Sequence, residues 1–236
     1  MSILLFASLL PVVILIAYIY KRDTFQKEPW PLLLKAFGFG VLAAMLDVTV
    51  AGLLSRLIPK VSDAPMIDAL YNAFICAAFP EEACKLLMLY LCIWKSPLFD
   101  EYYDGVEYGA FVGLGFAGIE NLLYILNGGL GLAFGRAIFA VPAHFFFAIF
   151  MGYFFSMARF RYDNRRRYMT LAYLVPVALH GTYDFLLMYM NNLQGTESDT
   201  MQEVDTLSGT LYMVFLVFFF FVWRFATRRV RKMSGQ

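Results

Sequence analysis

The chain has 236 residues, of which 61% are hydrophobic, 18% aromatic and only 16% charged, with 19 Lys and Arg against 18 Asp and Glu. Soluble domains carry about 25% charged residues, and a chain this short cannot hide so much apolar surface from water. A soluble globular protein and a disordered chain are thereby excluded, and the near-neutral balance offers no basic excess for nucleic acid.

Seven apolar runs long enough to cross about 30 Å of hydrocarbon follow one another, at about 2–20, 32–54, 67–94, 106–126, 137–158, 169–190 and 207–226. The expected fold class is all-α, a polytopic transmembrane helical bundle of about seven spans. It forms a single membrane-embedded domain over residues 1–236, with the chemistry-bearing core at about 67–190. The first run ends at Lys21 and Arg22 with no small-residue cleavage site after it, which reads as a retained helix. The second contains one carboxylate, Asp47, placed either to face a cavity or to cap a helix break. The third contains Cys76, Cys84 and Cys92 at spacings of eight. On a helix these sit about 12 Å apart, too far for a disulfide. In the fourth, Gly105, Gly109 and Gly113 recur every four residues, a spacing that lets helix backbones approach closely. Pro80, Pro142 and Pro176 fall inside the third, fifth and sixth runs and are expected to kink them.

The loop charges orient the bundle. Lys21, Arg22, Lys27, Lys35, Lys95, Arg159, Arg161, Arg165, Arg166, Arg167, Arg224, Arg228, Arg229, Arg231 and Lys232 fall on one side, and Arg56, Lys60 and Arg136 on the other. Fifteen against three puts the N-terminus outside and the C-terminus in the cytoplasm. Residues 207–236 then form the final span and a basic cytoplasmic tail. The sixth loop holds Glu197, Asp199, Glu203 and Asp205 and no basic residue, and is a candidate for substrate selection.

Charges inside a span are costly, so each is a functional hypothesis. Glu81 and Lys85 lie about 40° apart on a helix and Glu82 and Lys85 about 60°, so one lysine can pair with either carboxylate. Two adjacent carboxylates in a low dielectric cannot both ionise cheaply, which suits a general base that takes a proton from water and later returns it. Glu120 lies in the fourth run beside Asn121, and His144 in the fifth, two turns after Arg136. His180 and Asp184 are four apart in the sixth and so share a face. Counting at 1.5 Å per residue puts Glu120, His144, His180 and Asp184 about 9–15 Å below the outer surface. Glu81 and Glu82 count nearer the midplane, and a kink at Pro80 would bring them level. The residues point to one water-accessible pocket in the outer half of the membrane.

These residues resemble the PrsW family of intramembrane proteases, distant relatives of the CAAX-processing protease superfamily. Three motifs carry the likeness: EExxK at Glu81, Glu82 and Lys85, FxxxE at Phe116 and Glu120, and HxxxD at His180 and Asp184. The stretches 104–109 and 115–121, and His144 with Arg136 upstream, also match, so the likeness covers roughly 20–190. It implies a multi-pass cell-membrane peptidase that cuts a single-pass membrane protein, such as an anti-sigma factor, at or just outside the outer leaflet (a site-1 cleavage). No HExxH, GxSG or GxGD signature of other membrane proteases is present.

Two chemistries fit this inventory. In the favoured one, which needs no cofactor, Glu81 or Glu82 activates water and His144 and His180 stabilise the oxyanion or protonate the leaving amine. In the other, Glu120, His144 and His180 hold zinc and Glu81 or Glu82 acts as base. The alternative class is a proton- or ion-coupled carrier, since buried Glu, His and Asp also serve ion pathways; against it, no inverted repeat is visible. A third reading is a non-catalytic membrane scaffold that keeps the pocket.

Overall fold

In hydrocarbon no water can satisfy a backbone N–H or C=O, so an apolar run closes its hydrogen bonds internally as a helix. The computed structural model describes residues 2–24, 26–194 and 201–234, and contains no strand among them. The elements are α1 (Ser2–Arg22), α2 (Trp30–Leu57), α3 (Pro65–Leu70), a π-helical segment (Tyr71–Ala78), α4 (Phe79–Ile93), α5 (Tyr102–Ile138), α6 (Ala140–Phe160), a short 3-10 turn (Tyr162–Asn164), α7 (Arg165–Gln194) and α8 (Met201–Met233). The all-α expectation holds. Four stretches among the described residues are long and apolar enough to cross a membrane: Trp30–Leu57, Phe134–Phe160, Tyr162–Gln194 and Asp205–Met233. Helices α2 and α8 turn Leu42, Met45, Val48, Met213, Val217 and Phe220 outward, while Phe111, Phe145, Phe147 and Phe155 fill the interior. An apolar exterior around an apolar core marks a multi-pass membrane protein, not a water-soluble one.

Local differences from the sequence expectation all bear on the site. The third run is not one helix but α3, the π segment and α4 end to end. A π turn holds more residues than an α turn, so it shortens this span and rotates α4 relative to α3. Pro142 lies in the first turn of α6, where the missing N–H costs no bond, so the kink expected there is a helix start; Pro80 lies where the π segment runs without a break into α4. Pro176 does lie inside α7. The gap at 127–136 between the fourth and fifth apolar runs is helical backbone, part of α5. Yet Arg136 Nη2 is 2.9 Å from Glu120 Oε2, and Arg136 Nε donates to Asn121 Oδ1 at 3.1 Å. A straight helix would separate residues 120 and 136 by about 24 Å, beyond the joint reach of two side chains, so α5 folds back between them. Gly128, Gly129 and Gly131 lie in that stretch and permit a sharp bend. Of the acidic sixth loop, Glu197 and Asp199 lie outside the described residues.

Helix α5 is the hub, packed against α1, α2 and α6. Its glycines serve contact: a Cβ on Gly152 of α6 would sit 2.0 Å from the Gly105 carbonyl oxygen, and one on Gly115 2.1 Å from that of Phe37 in α2. Backbone cannot yield as a side-chain tip can. Gly152→Val is therefore expected to destabilise the bundle by about 1–3 kcal/mol in thermal unfolding of the detergent-solubilised protein. Gly38→Ala, where a Cβ meets nothing within 4 Å, should leave the unfolding midpoint unlowered.

Candidate active site

The π segment ends at Ala78, and the next turn begins α4 with Pro80, Glu81 and Glu82. Two contacts fix this junction against α7. The Tyr173 hydroxyl donates to the Phe79 carbonyl at 3.0 Å, and Phe74 lies over Gly181, where a Cβ would be 2.3 Å from the ring. Glu81 and Glu82 thereby reach the depth of His180, the levelling that sequence counting assigned to a kink at Pro80.

Lys85 is at the centre. Its Nζ donates to Glu81 Oε2 at 3.1 Å and to Glu82 Oε1 at 2.8 Å, so the lysine pairs with both carboxylates at once. It also lies 3.1 Å from His144 Nδ1 and 4.0 Å from the centroid of the Phe116 ring. An ammonium accepts no hydrogen bond, so His144 Nδ1 accepts, and the neutral ring carries its proton on Nε2. That nitrogen faces Glu120, 2.8 Å from Oε2. Glu120 Oε2 touches both His144 and Arg136 at ion-pair distance.

His180 is clamped between two carboxylates, with Nδ1 2.8 Å from Glu82 Oε1 and Nε2 3.1 Å from Asp184 Oδ2. The aspartate holds one nitrogen as its four-residue spacing implied, and the other meets Glu82 instead of open space. Phe147 stacks on the His180 ring with centroids 5.3 Å apart, and the two imidazoles meet edge to face at 5.0 Å. Both rings are locked by packing as well as by polar bonds.

A cavity of about 440 Å³ opens onto this network. Glu81, Glu120, Arg136, His144, His180 and Asp184 line its polar side, and Tyr124, Phe139, Tyr212 and Phe215 its apolar side. Glu82 does not line it: its side chain is 0% exposed against 11% for Glu81. The two adjacent glutamates are therefore unlike. Glu81 faces the cavity, and Glu82 sits behind it, bonded to Lys85 and His180. Apart from Asp47, the ten residues singled out in the sequence, Phe116 and Asn121 included, belong to this one constellation. Asp47 lies in an unbroken α2, so it caps no break; Lys85 and Glu120 are among its charged neighbours.

The profile of the PrsW family, described as intramembrane metalloproteases, matches residues 28–223. The chain belongs to the PrsW family. It is 36% identical to Protease PrsW of Geobacillus kaustophilus over 78% of its length and 80% of that protein. It is 32% identical to Protease PrsW of Bacillus subtilis over 96% of its length and 93% of that protein. With Protease PrsW of Clostridioides difficile it shares 35% identity over 77% of each chain. No solved structure matches it. Membership of this protease family, together with the apolar outer faces of α2 and α8, makes the chain a peptidase of the cell membrane.

The PrsW description names a metal, and the residues fit one. Glu81, Glu82, His144 and His180 each present a ligand atom within 4.8 Å of the others, and Glu82 Oε2 is buried without a partner. Two imidazoles and two carboxylates form a zinc-type donor set. It differs from the set expected from sequence: Glu120 is outside it, drawn to Arg136 and to the far nitrogen of His144, while Glu81 and Glu82 are inside. Sequence reasoning also missed the cavity's tyrosines, Tyr124, Tyr183 and Tyr212, which an aromatic-rich chain hides among many others. A second polar cluster lies elsewhere, at the start of α5. Asp104 closes the N-terminus of that helix by accepting from the Glu101 N–H at 2.7 Å, and the Tyr108 hydroxyl donates to Glu28. Its signal in the sequence is Asp104 and Glu107, three apart in an apolar run.

Proposed function

We propose that the chain hydrolyses a peptide bond of a single-pass membrane-anchored protein at or just outside the outer leaflet, with Glu81 as the base that activates water. The observation that carries this reading is the 440 Å³ cavity whose polar wall is Glu81, Glu120, His144, His180 and Asp184. Seven spans read from the apolar runs, with the N-terminus outside as the loop charges imply, would set that cavity in the outer half of the bilayer. An anti-sigma factor is the substrate class that the family resemblance implies.

In this mechanism Glu81 takes a proton from water as its oxygen attacks the scissile carbonyl carbon. The resulting oxyanion accepts from His144 Nε2–H. Glu81 then returns its proton to the departing amine nitrogen as the C–N bond breaks. Lys85 holds the tautomer of His144 by occupying its Nδ1. Glu82 and Asp184 fix His180, and Arg136 holds Glu120 in place. The apolar wall of Tyr124, Phe139, Tyr212 and Phe215 accepts the substrate's side chains and keeps bulk water away from the bond.

A divalent ion is the second reading, favoured by the donor set itself. Glu81, Glu82, His144 and His180 would hold it, and when bound it would supply a Lewis acid and a more acidic water. What favours the metal-free chemistry is Lys85, whose ammonium already bonds three of those four residues. The expected outcome is that the purified protein keeps its cleavage rate after exhaustive chelation and carries less than stoichiometric metal. A tightly held zinc at one per chain, whose removal stops cleavage and whose return restores it, would overturn the glutamate chemistry. The carrier reading predicts ion flux through proteoliposomes without cleavage.

A further inference from the structure

On the side of the bundle away from the active site, α1, α6 and α8 enclose a groove of about 670 Å³. Its upper part is apolar, walled by Leu15, Phe146, Phe220 and Trp223. Its lower part is cationic, with Arg224, Arg228 and Arg231 on α8. On a helix, residues 228 and 231 lie about 40° and 20° to either side of 224, so the three guanidiniums form one stripe about 10 Å long. No acidic side chain pairs with any of them among the described residues. The neighbouring Arg229, by contrast, lies over the Tyr153 ring and bonds its hydroxyl at 3.4 Å.

We infer that this groove is a binding site for one anionic phospholipid, its acyl chain along the aromatic wall and its phosphate among Arg224, Arg228 and Arg231. The change from apolar to cationic occurs in the last turns of α8, a helix long and apolar enough to cross the bilayer. That is the level at which a lipid's tail gives way to its headgroup, and basic pockets between spanning helices recognise anionic headgroups. Arginine suits the role because its planar donors grip phosphate oxygens in pairs and it loses less hydration than lysine. Three uncompensated charges select an anionic lipid over a zwitterionic one of the same chain length. The groove touches none of the residues assigned to peptide cleavage, so lipid binding and hydrolysis separate by mutation.

The test uses the purified full-length chain in mixed micelles with brominated phosphatidylglycerol or brominated phosphatidylcholine. Trp223 lines the groove, and bromine on a bound acyl chain quenches its emission. Phosphatidylglycerol is expected to quench at concentrations at least ten-fold lower than phosphatidylcholine, with the quenching lost in Trp223→Phe. The triple variant Arg224→Gln, Arg228→Gln, Arg231→Gln should abolish that preference while peptide cleavage persists. Should the triple variant fail to fold, Arg228→Gln alone and native mass spectrometry of the wild type give the same reading, one phosphatidylglycerol retained per chain. Millimolar inorganic phosphate should leave the quenching in place. Equal quenching by both lipids, an unchanged preference in the arginine variants, or complete displacement by inorganic phosphate would each overturn the inference.

Discussion

Glu81→Gln should slow cleavage of a tagged single-pass substrate by about 10²–10⁴-fold, the usual contribution of a positioned general base, and leave the fold intact. Glutamine has the same shape, and its carbonyl oxygen can still accept from Lys85, which now bonds Glu81 at 3.1 Å. What is lost is the capacity to take a proton from water. Glu82→Gln is the informative neighbour. Its carboxylate holds Lys85 and His180 at 2.8 Å each and lies out of the cavity, so it acts as a positioning residue. Its loss should lower the thermal midpoint as well as the rate, whereas Glu81→Gln moves the rate alone. A parallel gel assay and thermal melt of the two variants separates these roles. Should Glu82→Gln alone abolish cleavage at full stability, the assignment of the base would pass to Glu82.

Lys85→Met carries the largest expected effect on stability. The side chain is buried between two carboxylates and an imidazole, and methionine keeps most of its volume. Removing one partner of a buried ion pair leaves charge without compensation, at a cost of about 3–5 kcal/mol. Cleavage should also fall, because His144 Nδ1 loses the donor that keeps the proton on Nε2. Adding Glu82→Gln to Lys85→Met removes one of the stranded charges, so part of the lost stability should return in chemical denaturation of the double variant. Strict additivity of the two changes would show that Lys85 and Glu82 do not act as a pair.

Which residues meet was legible in the sequence because the membrane leaves few places for charge. Glu81, Glu82, Lys85, Glu120, His144, His180 and Asp184 stand out in runs otherwise built of Leu, Phe, Ala and Gly, and their helical spacing predicted the Glu–Lys and His–Asp pairs that the structure contains. How they meet was less legible. The π segment at Tyr71–Ala78 has no composition of its own, since its hydrogen-bond register is imposed by packing against α7, and without it Glu81 counts too deep. The reversal inside α5 reads as a loop because Gly128, Gly129 and Gly131 break helices as readily as they bend them. The unlike surroundings of Glu81 and Glu82 depend on which way α4 is rotated in the bundle, a tertiary property that adjacency in sequence conceals. The same holds for the donor set, where His144 presents one nitrogen to Lys85 and the other to Glu120.

The most direct measurement is cleavage in a system with no other protease present. The purified chain and a single-pass substrate are reconstituted together in liposomes, and the product termini are read by mass spectrometry. Glutamate-activated cleavage in the outer half of the membrane predicts a single new terminus at or within two helical turns of the outer end of the substrate's span, formed by the wild type and absent with Glu81→Gln. Cleavage that persists in the Glu81→Gln, Glu82→Gln double variant, or a cut in the cytoplasmic half of the span, would contradict it.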